Sequence, residues 1–300
     1  MVRQVPGFSL NDGDSDRGFI AAVGNVLIND TYPSAKQDTP SAILDRIPAS
    51  QVAQIELIRG KVRGIDLQGQ SVVVNVVLVG DPEAVVRWDL YVRHHTEAPL
   101  KPGVDLSLSD RWGGIEYNAG VRIEREANGE SGNDSFFDGD GELQETSVFS
   151  QQSTGIDLTG TLNASGWIGR TLMSMNTRAH YETRSPFELS LLTPHVATNA
   201  PREQQVTNDQ TIKQFEFGTD AARSLSQDLA GKAIVLFFRE GLPRTATRRV
   251  LDESGDQVSF RIAESNAVST EVVGRLELDW TGMENHNIQL NIEAAYNSLA

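Results

Sequence analysis

The sequence predicts a mainly β protein: a small mixed αβ region over residues 1–82, then antiparallel β-strands over residues 83–300. Three observations carry this reading. Residues 25–79 combine short apolar runs with one punctuated helix. From about Glu83 onward, apolar and polar residues alternate strictly in one segment after another. Turn-like or loop-like stretches separate those segments at roughly 20-residue spacing, which predicts about ten strands.

In the first region, "NVLIND" (Asn25–Asp30) reads as a short strand running into a polar turn. "DTPSAILDRIP" carries helix punctuation, with Thr39 as N-cap, Pro40 at the first helical position and Pro48 closing the segment. "QIELIR" reads as a strand. "SVVVNVVLV" is apolar at both parities, as a strand buried on both faces would be.

The second region alternates. Val86, Trp88, Leu90 and Val92 interleave with Arg87, Asp89, Tyr91 and Arg93. Ile115, Tyr117, Ala119, Val121 and Ile123 interleave with Glu116, Asn118, Gly120, Arg122 and Glu124. The series closes on Val272 to Trp280 and Ile288 to Tyr296. Ala127–Glu142 and His195–Gln210 read as loops. Each strand therefore has one apolar and one polar face, but alternation does not say which face is wet. A soluble sandwich turns the apolar face to its core, whereas an outer-membrane barrel turns it to lipid. The heavily charged polar faces, and Trp112, Trp280 and Tyr296 expected at strand ends, favour the barrel.

Composition narrows the classes. Net charge is −15 and no basic cluster is present, which argues against nucleic-acid binding. The absence of cysteine excludes disulfides, thiolate metal sites and a cysteine nucleophile. No run of about 18 apolar residues predicts a transmembrane helix. Residues 1–82 hold seven basic and nine acidic residues, and the remainder holds 19 and 32, so the acidic excess lies in the strand-rich region. No nucleophile elbow, P-loop, His-Glu-x-x-His or dinucleotide glycine motif occurs. His94 and His95 point to opposite faces of a strand and cannot chelate one ion. "DGDGE" (Asp138–Glu142) lacks the ligand spacing of a calcium loop and reads as a turn.

An ordered set of segments in residues 1–82 resembles the second half of the plug domain of TonB-dependent outer-membrane receptors. "VPGF" (Val5–Phe8) resembles the early plug motif, and "DRGF" (Asp16–Phe19) the first Arg-Gly element. "NVLINDTYPS" resembles the strand and turn that usually read Asp-Gly. "ILDRIPASQVAQIELIRG" resembles the helix, proline, strand and second Arg-Gly element. "GIDLQGQSVVVNVV" resembles the approach to the last plug strand, with Asn75 at the usual asparagine. Two departures stand out: Asn29-Asp30 replaces Asp-Gly, and Gln70-Ser71 replaces a glycine pair, which alters turn chemistry.

The resemblance implies a small αβ plug (1–82) followed by antiparallel transmembrane β-barrel strands (83–300), in the outer membrane of a Gram-negative bacterium. It implies uptake of a scarce solute, with a ferric siderophore the first choice and a carbohydrate or cobalamin the alternatives. Arg17, Glu56 and Arg59 would form a polar lock between plug and barrel wall; the plainer alternative is a surface ion pair worth about 0–1 kcal/mol. The plug loop bearing Asp30, Tyr32, Ser34 and Lys36 would face the ligand. No enzyme activity, metal site or cofactor is implied, and Fe(III) would arrive only with the transported ligand. Expected partners are lipid, a small-molecule ligand and a TonB-type energy-coupling protein that pulls on an N-terminal segment; the full-length protein would be a monomer. Plugged barrels use about 22 strands, so the chain is expected to be truncated at both ends. Two other readings compete: a soluble exported β-sheet binding or adhesion protein, and an outer-membrane signal transducer of the same architecture.

Overall fold

The computed structural model describes residues 2–13, 24–30, 32–33, 39–59, 70–79, 84–95, 97–195, 200–283, 286 and 288–300. Strands make up 74% of the structure and one α-helix is present among the described residues, so the mainly β reading holds. The strands form two sheets. A small one has the order β1-β3-β2, from β1 (Val26–Ile28), β2 (Val52–Arg59) and β3 (Val72–Leu78). A large antiparallel meander runs in sequence order from β4 (Val85–Arg93) through β5 (Lys101–Trp112), β6 (Ile115–Phe137), β7 (Leu143–Ile168), β8 (Thr171–Pro194), β9 (Arg202–Ser224), β10 (Leu229–Leu251) and β11 (Gln257–Trp280) to β12 (Ile288–Leu299). The order is linear, with β4 and β12 at the edges, so the strands among the described residues form no closed barrel.

The small sheet follows its sequence closely. Helix α1 (Pro40–Arg46) begins on Thr39, whose hydroxyl accepts a 3.3 Å bond from Ala42 N, and Pro40 occupies its first turn. Strand β3 lies between β1, parallel to it, and β2, antiparallel. Residues Val73 to Val76 are buried, because both faces of β3 are covered. Val74 and Val76 pack with Val2 and Val26, against which Phe8, Leu44 and Ile55 close. On the other side Val73 packs with Leu27, Ile58 and Tyr32 against Ile234 and Leu236 of β10 and Val273 of β11. The large sheet thus covers one face of the small sheet.

Nine strands follow residue 82 among the described residues, against the roughly ten expected. One expectation for residues 83–300 is corrected. Most of the two segments read as loops is strand: Ala127–Phe137 continues β6 and Arg202–Gln210 opens β9. The reason is length. Strands β6 to β11 run 23–26 residues each, and their distal halves carry polar residues at both parities, so no alternation betrays them. The 138–142 turn stands as expected: Asp138 Oδ1 accepts from Asp140 N at 3.0 Å and from Glu142 N at 2.9 Å.

The large sheet is inverted relative to a soluble one. Val86, Leu108, Ala119, Leu162, Thr177, Phe217, Phe237, Val272 and Tyr296 lie opposite one another across all nine strands. This outer row is exposed over much of its length: Val86 is 61% accessible, Leu162 37% and Tyr296 63%. Leu90, Leu158, Leu276, Leu290 and Ile292 share the same exposed face. The buried residues of these strands are largely polar, including Glu124, Glu126, Asn176, Glu182, Glu216, Asp220, Arg275 and Glu277. Trp112 and Trp280 end their strands as expected, whereas Tyr296 lies three residues before the end of β12.

Truncating Leu236, which is 2% exposed between the two sheets, removes packing that the small sheet cannot replace. Leu236→Ala is expected to cost about 2–5 kcal/mol, measured by urea unfolding of the full chain. A cost below about 0.5 kcal/mol would mean the two sheets do not pack in solution.

Candidate functional site

The candidate site lies where the small sheet and its connections meet the polar face of β4–β11. It begins at the β1 turn. Asn29 and Asp30 both have positive φ, 47° and 65°, the only non-glycine residues described with that geometry. Asparagine and aspartate tolerate this conformation better than other side-chain-bearing residues, so Asn-Asp can make a left-handed turn without glycine. The turn is held by its neighbours. Asn29 Oδ1 accepts from Leu78 N at 2.9 Å, and Asn29 N donates to Val76 O at 3.1 Å. Asn29 Nδ2 donates 2.9 Å to Glu116 Oε2 on β6, which ties the turn to the large sheet.

Behind the turn sits Asn75, with no exposed surface at all. Its Oδ1 accepts from Asp30 N at 3.0 Å, and its Nδ2 donates to Asp30 Oδ1 at 2.7 Å and to Glu56 Oε2 at 2.9 Å. A fully buried amide is tolerated because its donors and acceptor are used. Glu56 also accepts 2.7 Å from Gln54 Nε2.

The proposed lock residues are therefore placed unequally. Glu56 faces Asn75 within the small sheet. Arg59 ends β2 with its side chain over the first turn of the chain: a Cβ on Gly7, whose φ is +74°, would lie 2.5 Å from Arg59 Nη2. Among the described residues no ion pair joins Arg59 to the large sheet. Arg17 lies outside the described residues, as do Ser34 and Lys36 of the proposed ligand loop. Of that loop, Asp30 and Tyr32 are described, and both line a cleft of about 560 Å³ between the small sheet and β5–β8. Glu116, Tyr117, Asn163 and Trp167 form part of its far wall.

The contacts that join the two sheets here are ones sequence reading missed. Arg87 Nη1 donates 2.8 Å to Asp45 O, and Asn118 Nδ2 donates 3.2 Å to Arg46 O, so the end of α1 rests on β4 and β6. These are backbone acceptors at a helix C-terminus, where the last carbonyls lack intrahelical partners. Neither arginine nor asparagine on a polar strand face announces such a role. The apolar contact did leave a trace: "AIVLFF" (Ala233–Phe238) is apolar at both parities, unlike its neighbouring strands.

Beyond α1, the polar face opens into a second cleft of about 700 Å³, bounded by Asp45, Arg87, Asp105, Arg122, Asp157 and Arg178 among others. Its charges are paired: Arg122 meets Asp105 through two bonds of 2.6 and 3.1 Å, and Arg87 meets Asp89 at 3.0 Å. Further along, Glu124 receives Tyr91 Oη at 2.6 Å, Arg93 at 2.9 Å and Lys101 at 2.9 Å, and Lys101 also reaches Glu126. No helix among the described residues is long and apolar enough to cross a membrane.

Comparison with known proteins finds no family model that matches this chain and no match among curated proteins.

Asn29→Ala deletes both the Leu78 cap and the link to Glu116. The expected loss is about 1–3 kcal/mol, with faster proteolysis within residues 24–79 in a limited-digestion time course. Unchanged digestion would show that the turn does not hold the small sheet against β6.

Proposed function

We propose that this chain forms part of a plugged outer-membrane receptor of the TonB-dependent kind, with residues 1–82 as plug and residues 83–300 as wall. The observation that carries the reading is the inverted large sheet. In water, rows of exposed leucine, isoleucine and valine across nine strands would be a liability, since large contiguous apolar patches mark interaction surfaces. Against hydrocarbon they are the expected outer surface, and the carboxylates behind them face a wet interior.

The dimensions support it. Ile115 to Ile123, Val272 to Trp280 and Ile288 to Tyr296 each cover nine residues of alternating outer apolar positions, and a tilted strand needs about 9–11 residues to cross the hydrocarbon. Trp112, Trp280 and Ile288 mark one margin, beside the short turns; Tyr181 and Tyr296 mark the other. Interfacial aromatics are the usual border of such a band. The rest of β6 to β11 would project beyond it, where alternation is no longer required. In lipid the free backbone edges of β4 and β12 must be paired, because each unsatisfied group there costs several kcal/mol.

On this reading the 560 Å³ cleft beside Asn29, Asp30 and Tyr32 takes a small solute, its volume lying within the usual range for ligand sites. Transport would then require the small sheet to move against β5–β8, and Asn29–Glu116 is one of the contacts such a movement must break.

Arginine substitutions on the outer face separate lipid from water. Leu158→Arg and Leu276→Arg are expected to cost about 2–4 kcal/mol in a bilayer but within ±0.5 kcal/mol as surface changes in water. Val258→Arg, on the same face in the distal half of β11, is expected to be tolerated in both. The readout is recovery of folded protein from a detergent-washed outer-membrane fraction. Full recovery of all three variants, or wild-type protein in the soluble fraction without detergent, would overturn the membrane reading in favour of a soluble exported binding protein.

A further inference from the structure

Beside the second cleft, three side chains from neighbouring strands converge on one point of the buried polar face. Asp157 on β7 lies directly opposite Glu182 on β8, and Thr159 lies opposite His180. All four residues share one face because each pair is in register and the members of each strand are two apart. One donor atom from each of Asp157, His180 and Glu182 lies within 4.8 Å of the other two. The side chains of His180 and Glu182 are only 9% and 6% exposed.

The spacing differs from that of hydrogen bonding. His180 Nε2 stands 3.5 Å from Glu182 Oε2, and Nδ1 stands 3.5 Å from Asp157 Oδ1. Those distances are long for bonds to nitrogen. The two contacts use opposite nitrogens of the ring, so only the Nε2–Glu182 separation is a candidate edge of a tetrahedron whose ligands sit about 2.0–2.2 Å from a central ion, roughly 3.4 Å; Asp157 offers its oxygen within 4.8 Å of the other two donor atoms. Two neighbouring groups orient the donors. Thr159 Oγ1 lies 3.0 Å from His180 Nδ1, an arrangement that fixes the ring and leaves Nε2 as the electron-pair donor. Arg184 Nε binds Glu182 Oε1 and leaves Oε2 turned to the imidazole. The third side is open to the cleft, which Asp157, Thr159 and Arg178 line.

We propose that Asp157, His180 and Glu182 form a binding site for a divalent transition-metal ion of the zinc class. One imidazole and two carboxylates suit zinc and cobalt(II) better than calcium or magnesium, which prefer oxygen alone. Three protein ligands leave one position for water or for a donor atom of a molecule in the cleft. The two carboxylates match the ion's charge, so the three ligands and a divalent ion together are neutral. This site stands independently of the transport reading, since it needs only that β7 and β8 pair as observed.

The test is titration of the full chain with Co²⁺, followed by visible d–d absorption, and with Zn²⁺ in competition with a chromophoric chelator. The expected result is one tightly bound equivalent with a low-coordinate cobalt spectrum. His180→Ala is expected to abolish it, and Thr159→Val to weaken affinity by about 10–100-fold through loss of the orienting hydroxyl. His195→Ala is expected to leave it unchanged. Thr159→Val and His195→Ala alter no proposed ligand, so they keep the test informative if His180→Ala does not fold. Absence of a stoichiometric equivalent in the unaltered chain would overturn the proposal. So would binding that survives His180→Ala or is lost in His195→Ala.

Discussion

The period of two along a β-strand governs this protein. Arg275 and Leu276 are adjacent in sequence, yet one is 4% exposed and the other 58%. A single slip in register would exchange them and every residue beside them. Because β4 to β12 pair in sequence order without a crossover, one choice of face is imposed on the whole sheet: most buried carboxylates inward and most leucines and isoleucines outward, with Ile234 and Leu236 inward where the small sheet packs. A sheet so arranged cannot bury its charges on its own. The small sheet covers part of that polar face, with Leu27, Ile58 and Val73 against Ile234, Leu236 and Val273.

The two kinds of contact have different consequences. Apolar packing around Leu236 supplies most of the hold, since burying a large side chain is worth about 1.5–3 kcal/mol. The polar contacts supply placement. Buried pairs such as Arg275–Glu277, 2.8 Å apart, gain little net energy after desolvation but are costly to break. Asn75 is the clearest instance inside the small sheet. Its three bonds fix Asp30 and Glu56 relative to β3, and the Asn29 turn then delivers a single bond to Glu116. Arg87 to Asp45 O and Asn118 to Arg46 O add two more polar links between the small αβ part and the large sheet, so placement rests on several separate bonds beside the apolar contact.

Much of this was legible in the sequence, for identifiable reasons. The helix at Pro40 was readable because Thr39, Pro40 and Pro48 punctuate it. The doubly covered strand β3 was readable because "VVVNVV" is apolar at both parities. The alternating halves of β4 to β12 were readable from period two alone. The distal halves of β6 and β9 were not, because residues such as Gly129, Gln204 and Gln205 are polar on either face. The left-handed turn at Asn29-Asp30 looked like a departure, but its geometry is the one glycine would have allowed. The convergence of Asp157, His180 and Glu182 depends on which residues of β7 and β8 lie opposite each other. No spacing in the sequence reports that.

The chain's lack of cysteine permits a direct test of the facing. Single cysteines would be placed in turn at Gly274, Arg275, Leu276 and Glu277 of β11 in membrane-inserted protein, each carrying an environment-sensitive fluorophore. The account predicts a period-two pattern, with Gly274→Cys and Leu276→Cys quenched by lipid-phase quenchers and Arg275→Cys and Glu277→Cys protected from them. The opposite phase, or equal quenching by an aqueous agent at all four positions, would contradict it.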